Sequence, residues 1–557
     1  MVDPNCAATL RRLRAASLVL LAISLPAASR AAIDGYVSPQ SAAPGDTLSF
    51  MVSSPTAYDV IMARYHRVSD GNVADPLTSP VTYPAVVQAV PDSAWKGCGW
   101  TAAFRWVIPV GWASGIYAAE CSHAGVTTMQ IPFVVRPRLG VHGDFAMLAN
   151  TNTWNAYNSW GGRSKYSVPP AHEVSFLRPN PGAAPSGTGP SHLTRAELWV
   201  QDWLGASGYH VDVYSDLDLQ RGILELSHYK GLILNTHPEY WTHEMLDRLE
   251  AYLNNGGCVM YLAGNGIYEE TVFSADGNTL TMYPEYWCGE KTCRDRSYLR
   301  NLSPPRPERA ILGVAYRTEG FKTYAPFQVL LSAHRFFQGT GLVDGSLIGA
   351  SGLNAGGASG WEMDTSIPGL APDGVIVSAT GADDRGSPPA NIELLARGTN
   401  SGGYGADMTY YSTASGGGVF AAGSLTFGGS LVIDPVLQRI VRNVLDEFLR
   451  RPLAVAGPNP AGPAGAPELR SASPNPFTRE TSIRFTLTRA GRIRLTVHDV
   501  SGRRVRRLLD GAQLPANDNS IRWDGLDDSG RTVPDGVYLV RLETSTRRDS
   551  RAVLRLR

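Results

Sequence analysis

The eleven residues Asn235–Met245, NTHPEYWTHEM, hold two histidines, two glutamates and two aromatics. Within them, an imidazole and a carboxylate, His237 and Glu239, flank a proline. Pro238 fixes its own φ and biases His237 away from helix, so the two groups leave the chain in an extended stretch. Two other segments have a similar chemical character. ANTNTWNAYNSWGG, residues 149–162, is polar and aromatic and contains Tyr157; AGNG, residues 263–266, contains Asn265. Together they offer a phenol, an imidazole, a carboxylate and an amide. Such a set can be a metal site, an acid–base pair or a satisfied polar network in a core. Hard oxygen donors suit a hard cation such as ferric iron, and phenolate ligation of iron is known from haem sites. Other chemistries fit poorly. There is no G-x-S-x-G elbow and no P-loop, and AGNGIY is too short for a dinucleotide fingerprint. Cys258 sits at the start of its apolar run, the wrong end for an exposed nucleophile, and reads as a buried free thiol.

Each of these segments follows an apolar run. DFAML precedes the Tyr157 segment, GLILN precedes His237 and Glu239, and CVMYLA precedes Asn265. Between them lie helix signals. SHLTRAELWVQDWLGASG has a capping Ser or Thr and closing glycines. THEMLDRLEAYLNNGG has Thr242 as N-cap, Met245, Leu246, Leu249 and Leu253 on one face, and Gly256–Gly257 as the stop. Strand–helix alternation over 136–450 predicts an α/β domain with a doubly wound, mostly parallel sheet and a β extension from about residue 310. In such a sheet, ligands sit beyond the carboxyl ends of the strands, where these three segments fall. Residues 33–135 carry β-branched and aromatic runs between Gly, Pro, Asp and Ser turns, and predict an N-terminal β-sandwich. Residues 451–468 form a Pro/Gly/Ala linker, and 469–557 a separate, arginine-rich β domain without lysine.

The chain of 557 residues is multidomain, with 58 glycines and 38 prolines favouring β-rich, loop-rich architecture. Lys+Arg and Asp+Glu are each 50, so no global charge points to nucleic acid or to a membrane surface. Residues 1–32 read as a secretory signal: Arg11, Arg12 and Arg14, then ASLVLLAISL, then a small-residue cleavage site. The expected setting is secreted or cell-surface. Export permits disulfides, and Cys98–Cys121 and Cys288–Cys293 are the expected local pairs.

The run NTWNAYNSWGG…HPEYWT…YLNNGG…YLAGNGIY resembles the large (beta) subunit of the N,N-dimethylformamidase family, mononuclear-iron amidohydrolases, over roughly residues 110–450. The resemblance implies a ferric iron held by two tyrosinates and a glutamate: Tyr117 in SGIYAAE, Tyr157 in WNAYNSWGG and Glu239 in HPEYW. It places His237, Asn265 and, across a gap, Glu362 of GWEMD beside the metal. Glu362 or His237 would act as base and then protonate the leaving amine, and Asn265 would orient water or the oxyanion. It also implies a small amide substrate and a small companion subunit or a homo-oligomer. The chain departs from the family where GNG continues into Ile267-Tyr268-Glu269-Glu270, and in its leader and tail. That tail, with Pro474-Asn475-Pro476-Phe477, Gly502-Arg503, Trp523-Asp524-Gly525 and Gly536-Val537-Tyr538, resembles FlgD-like Ig-like and secretion-sorting domains. Such a domain implies contact with export machinery or the cell envelope. Two other readings stay open: a noncatalytic surface protein binding carbohydrate or another polymer through exposed aromatics, and a glutamine-amidotransferase-like fold without its nucleophile.

Overall fold

The computed structural model describes residues 33–556 apart from 70, 139, 168, 187–190, 283–297, 302–304, 318–319, 355, 367–385, 454–467, 474, 488–490, 500–502, 515–517 and 544–547. The signal segment, Cys288–Cys293 and most of the linker lie outside the described residues. What is described is β-rich, multi-sheet and multidomain, with few helices.

The N-terminal unit packs two sheets on one core. Asp34–Ser38, Thr47–Ser53 and Phe104–Val107 form the smaller; Tyr58–Val68, Gly115–His123 and Val126–Val135 dominate the larger. Alternate residues such as Val60, Met62, Tyr117, Ala119 and Ile131 point into that core, as the two-residue period of a strand requires. Cys121 lies in this core, Cys98 packs with Tyr36, Met51 and Ala94, and both are free thiols. The expected Cys98–Cys121 disulfide is therefore corrected: the two side chains serve different clusters. Cys258 is a buried free thiol, as its apolar surroundings suggest.

The central unit is built on a nine-stranded sheet. Five of its strands are parallel: β1 (Phe145–Ala149), β2 (Val211–Ser215), β3 (Gly231–Thr236), β4 (Cys258–Ala263) and β5 (Gly418–Ala421), in the order β2-β1-β3-β4-β5. The remaining four, Asp407–Ser412, Glu393–Gly398, Phe327–Val329 and Leu347–Ile348, continue the sheet antiparallel. The parallel strands are mostly apolar because both faces are covered. Met147, Val213, Ile233, Met260 and Phe420 meet α2 (Thr194–Ala206) and α5 (Pro435–Arg450). Leu148, Tyr214, Leu234, Tyr261 and Ala421 meet α3 (Asp216–Arg221) and α4 (His243–Asn254). A short helix, α1 (Thr151–Ala156), follows β1 directly. A four-stranded sheet of Glu173–Ser175, Thr279–Met282, Glu269–Phe273 and Tyr240–Trp241 was not foreseen from the sequence. Its members are too short to show a period.

The C-terminal module has a three-stranded and a four-stranded sheet closed around Phe477, Ile483, Trp523, Tyr538 and Val540. Trp523 donates to Leu526 O and Tyr538 to Pro534 O, which satisfies the polar ends of two core aromatics.

The start of α4 fixes where the His237–Tyr240 segment ends. Thr242 is buried and its hydroxyl accepts from Met245 N at 3.1 Å. Thr242→Ala is expected to cost about 1 kcal/mol of stability and Thr242→Ser to keep most of it, read by denaturant unfolding monitored by circular dichroism.

Candidate active site

The site lies beyond the carboxyl ends of β1, β3 and β4, and each strand end is held by a different local device. After β1, α1 turns its polar side chains onto the chain that leaves β3. Thr153 Oγ1 donates to His237 O at 2.8 Å, and Asn152 Nδ2 to Tyr240 O at 3.1 Å. Asn150 Nδ2 reaches Asn235 O at 2.8 Å. After β4, Ile267 N donates to Pro238 O and Tyr268 N to Glu239 O. The His237–Tyr240 segment is thus clamped from both sides.

The backbone at these turns is strained. Thr236, Asn265, Ile267 and Trp361 have positive φ, at 63°, 53°, 53° and 63°. For β-branched Thr236 and Ile267 this conformation is unusual, and it costs roughly 1–3 kcal/mol per residue. Thr236 precedes His237, and Trp361 precedes Glu362, so the strain sets the direction of the functional side chains. Gly264 is required for a different reason. A Cβ there would stand 2.2 Å from Glu362 O and 2.7 Å from Leu425 N. That close approach brings Glu362, from a distant part of the sequence, against the end of β4.

Five of the six residues named from the sequence meet. His237 Nε2 is 2.8 Å from Glu362 Oε2 and 3.3 Å from Glu239 Oε2. Asn265 Nδ2 lies 3.3 Å from both Glu239 Oε1 and Glu362 Oε2. Tyr157, at the C-terminus of α1, places its hydroxyl 3.3 Å from Glu239 Oε2. The two carboxylates are buried at 4% and 8% exposure.

Tyr117 does not join them. Its ring stacks between Trp112 and Phe133, and its hydroxyl donates to Ala113 O at 2.7 Å. It belongs to the N-terminal sandwich core because its position on the strand Gly115–His123 faces that core. The expectation that Tyr117 meets Tyr157 and Glu239 is corrected on this ground.

Two other tyrosines take the place beside Glu239. Tyr166 Oη is 3.2 Å from Tyr157 Oη and 3.4 Å from each oxygen of Glu239. Tyr166 also shares a close hydrogen bond with Tyr240. Its hydroxyl turns inward while the residue is 40% exposed, so it stands at the accessible side of the site. Lys165, paired with Glu269, lies over the rings of Tyr166 and Tyr240 at 5.4 and 4.8 Å. Tyr240 was within reach of sequence reasoning, as the neighbour of Glu239 in HPEYW; Tyr166 carries no motif that marks it.

Burial and two carboxylates dominate the electrostatics. Burial would lower the His237 pKa, but Glu362 and then Glu239 outweigh it and raise it to about 9. Burial also raises Glu239, and its neighbour Glu362 adds to this against the pull of His237. Glu362 is lowered: burial opposes its charge, but the His237 cation and the hydrogen bonds from His237 and Asn265 win. Burial, followed by Glu239, pushes the Tyr157 and Tyr166 phenols well up. His192, beside this group, is lowered to about 4 by burial and by His237. The arrangement is a proton-sharing pair, His237–Glu362, next to a carboxylate surrounded by phenols. Among the described residues no group of three or more His, Cys, Asp and Glu side chains is placed to hold a metal ion. A metal here would use the phenols.

Comparison with known proteins identifies the scaffold. A family model described as N,N-dimethylformamidase beta subunit-like, C-terminal, matches residues 63–440, and FlgD Ig-like domain matches residues 473–548. The N,N-dimethylformamidase beta subunit of Paracoccus aminophilus is 29% identical over 287 residues, covering 46% of this chain and 37% of that protein. That of Alcaligenes sp. is 26% identical over 425 residues, covering 63% and 55%. The chain therefore spans about a third to a half of the length of these relatives. The solved FlgD from P. aeruginosa is 26% identical over 16% of this chain and 65% of its own, with a TM-score of 0.12. The match over residues 63–440 takes in the strand ends, the clamp and the five converging side chains, and the chain belongs to the N,N-dimethylformamidase beta subunit-like family, with a FlgD Ig-like domain at its C-terminus.

Proposed function

We propose that this chain is an amidohydrolase that cleaves the C–N bond of a small amide at a site able to hold one iron ion. The observation that carries the reading is the convergence of Tyr157, Tyr166 and both oxygens of Glu239, at 3.2–3.4 Å, beside a second carboxylate held by His237. The family relationship supports the reaction class, and the name of the relatives, N,N-dimethylformamidase, suggests the amide.

The donor set fits ferric iron. Tyr157, Tyr166 and Glu239 all present oxygens, hard and anionic when ionised, and a trivalent cation favours the ionised form of phenols that burial otherwise keeps protonated. Tyr157, Tyr166 and Glu239 would hold the ion, with Tyr166 standing where Tyr117 was expected. Bound there, iron supplies Lewis acidity to a carbonyl and to a water.

The remaining groups move protons and hold charge. Glu362, kept ionised by His237 and Asn265, accepts a proton as water oxygen bonds to the amide carbon. His237 shares that proton and returns it to the nitrogen as the C–N bond breaks, giving a carboxylic acid and an amine. Asn265 Nδ2 donates to the oxygen that becomes negative. Burial of both carboxylates keeps bulk water out and suits a small substrate better than a polymer, which weighs against a polymer-binding surface protein.

The relatives' name as a beta subunit supports a companion subunit for this chain as well. The basic and apolar leader, with the FlgD Ig-like domain, supports an exported or envelope-attached setting.

Metal analysis of the purified chain is expected to give stoichiometric iron with a visible phenolate-to-iron charge-transfer band, and an amine-release assay turnover of N,N-dimethylformamide or a near analogue. Tyr157→Phe should weaken and shift the band, and Tyr157→Phe with Tyr166→Phe should abolish it, whereas Tyr117→Phe, in the sandwich core, should leave it. Iron-replete expression that yields no bound iron would sink the metal centre.

In metal-stripped protein the His237 pair should be visible in stability. Its folded pKa, about 9, lies above the ordinary 6.5, so its stabilisation is complete below about pH 6.5 and is lost as pH rises through about 9. The melting temperature is expected to fall over that window, and Glu362→Gln, which removes the nearer anion, should flatten the fall.

A further inference from the structure

One polar side chain at the site has no role in the scheme above. His192 lies in the loop before α2. Its neighbours fix it: Asn354 Nδ2 donates to Ser191 O at 2.8 Å, and Leu193 is buried in the core. The ring stands edge-on to Tyr157 at 4.8 Å, against Trp361 at 5.0 Å and near His237 at 6.0 Å. Aromatic rings therefore surround the imidazole. Both its nitrogens are shielded from bulk solvent and have no partner among the described residues. A neutral imidazole carries one N–H and one lone pair, and a shielded polar group left unpaired is costly. In mildly alkaline buffer an ordinary histidine is already neutral. Such a group, turned towards Tyr157 at the site, calls for a partner from outside the chain.

The substrate's orientation decides which partner. Its carbonyl oxygen belongs with Tyr157, Tyr166 and the Asn265 amide, where negative charge develops. Its nitrogen end then lies towards other groups at the site, among which His192 and Trp361 are paired at 5.0 Å beside Tyr157. That end offers either N–H or alkyl. An N–H satisfies the imidazole lone pair, whereas a second N-alkyl group leaves it unpaired. We propose that His192 is a specificity residue that accepts a hydrogen bond from the substrate amide N–H, with Trp361 packing on a single N-substituent. The site would then prefer primary and N-monosubstituted amides to N,N-dialkylated ones. The inference rests on the amidohydrolase reading.

The test compares N-methylformamide with N,N-dimethylformamide, by amine release and by calorimetric binding to the full chain, with and without iron. Wild type is expected to favour N-methylformamide by at least about tenfold, mainly in KM, since a site that pairs with a substrate N–H rejects analogues lacking it. His192→Phe should bring the ratio towards one and leave the charge-transfer band intact. His192→Gln, which keeps an acceptor, should retain part of the preference. His192→Met serves as a second apolar variant if the Phe ring prevents folding. The same ratio in wild type and the apolar variants, a wild-type preference for N,N-dimethylformamide, or no binding of either amide overturns the inference. If the chain holds no iron and cleaves neither amide, the enzymatic reading fails, and the calorimetric ratio still decides the role of His192.

Discussion

Two carboxylates, Glu239 and Glu362, are buried within reach of one imidazole and one amide. That is the constraint on which the rest of the site depends. Two adjacent buried anions repel, and each loses hydration. His237 offsets part of this by carrying a proton at pH values where an ordinary histidine has lost it. Asn265 offsets more by donating towards both carboxylates. The phenols around Glu239 remain protonated and can donate to it. The site is balanced only if all these groups are held at once, and the fold is arranged to hold them.

It does so with rigid pieces. The parallel strands deliver three chain segments to one edge of the sheet, and both faces are packed by helices, so the strand ends have little freedom to move. The clamp from α1 and from Ile267–Tyr268 then fixes the His237–Tyr240 stretch. Four non-glycine residues with positive φ lie in these turns. Strain of that kind persists only where the surroundings over-determine the backbone. Gly264 serves the same end by leaving room for the Glu362 backbone.

Some of this was legible in the chain. The central sheet carries parallel strands where long apolar runs precede capped helices, but only five of its nine strands are parallel, and the antiparallel direction of the extension had no signal in the chain. Thr242 caps α4 as its position before a periodic helix implied. Tyr157, His237, Glu239, Asn265 and Glu362 were singled out and are brought together. Tyr117 was singled out as well and lies elsewhere: an aromatic on a strand with two-residue periodicity faces its own core. Tyr166 was missed because it sits in an irregular loop, where residue type and spacing carry no directional information. The Cys98–Cys121 pairing failed for a related reason, since nearness in sequence does not set the direction of a side chain.

What the sequence determined by itself is which groups stand at strand ends. Hydrophobic runs, caps and glycine stops are local signals, and Pro238 between His237 and Glu239 is a local constraint. What only the tertiary structure decided is which of those groups meet. Glu362 reaches His237 across 125 residues of chain because Gly264 lets two backbones touch, and Tyr166 reaches Glu239 because a loop folds over the end of the sheet. Such meetings depend on the packing of whole elements, which a local pattern of residues does not encode.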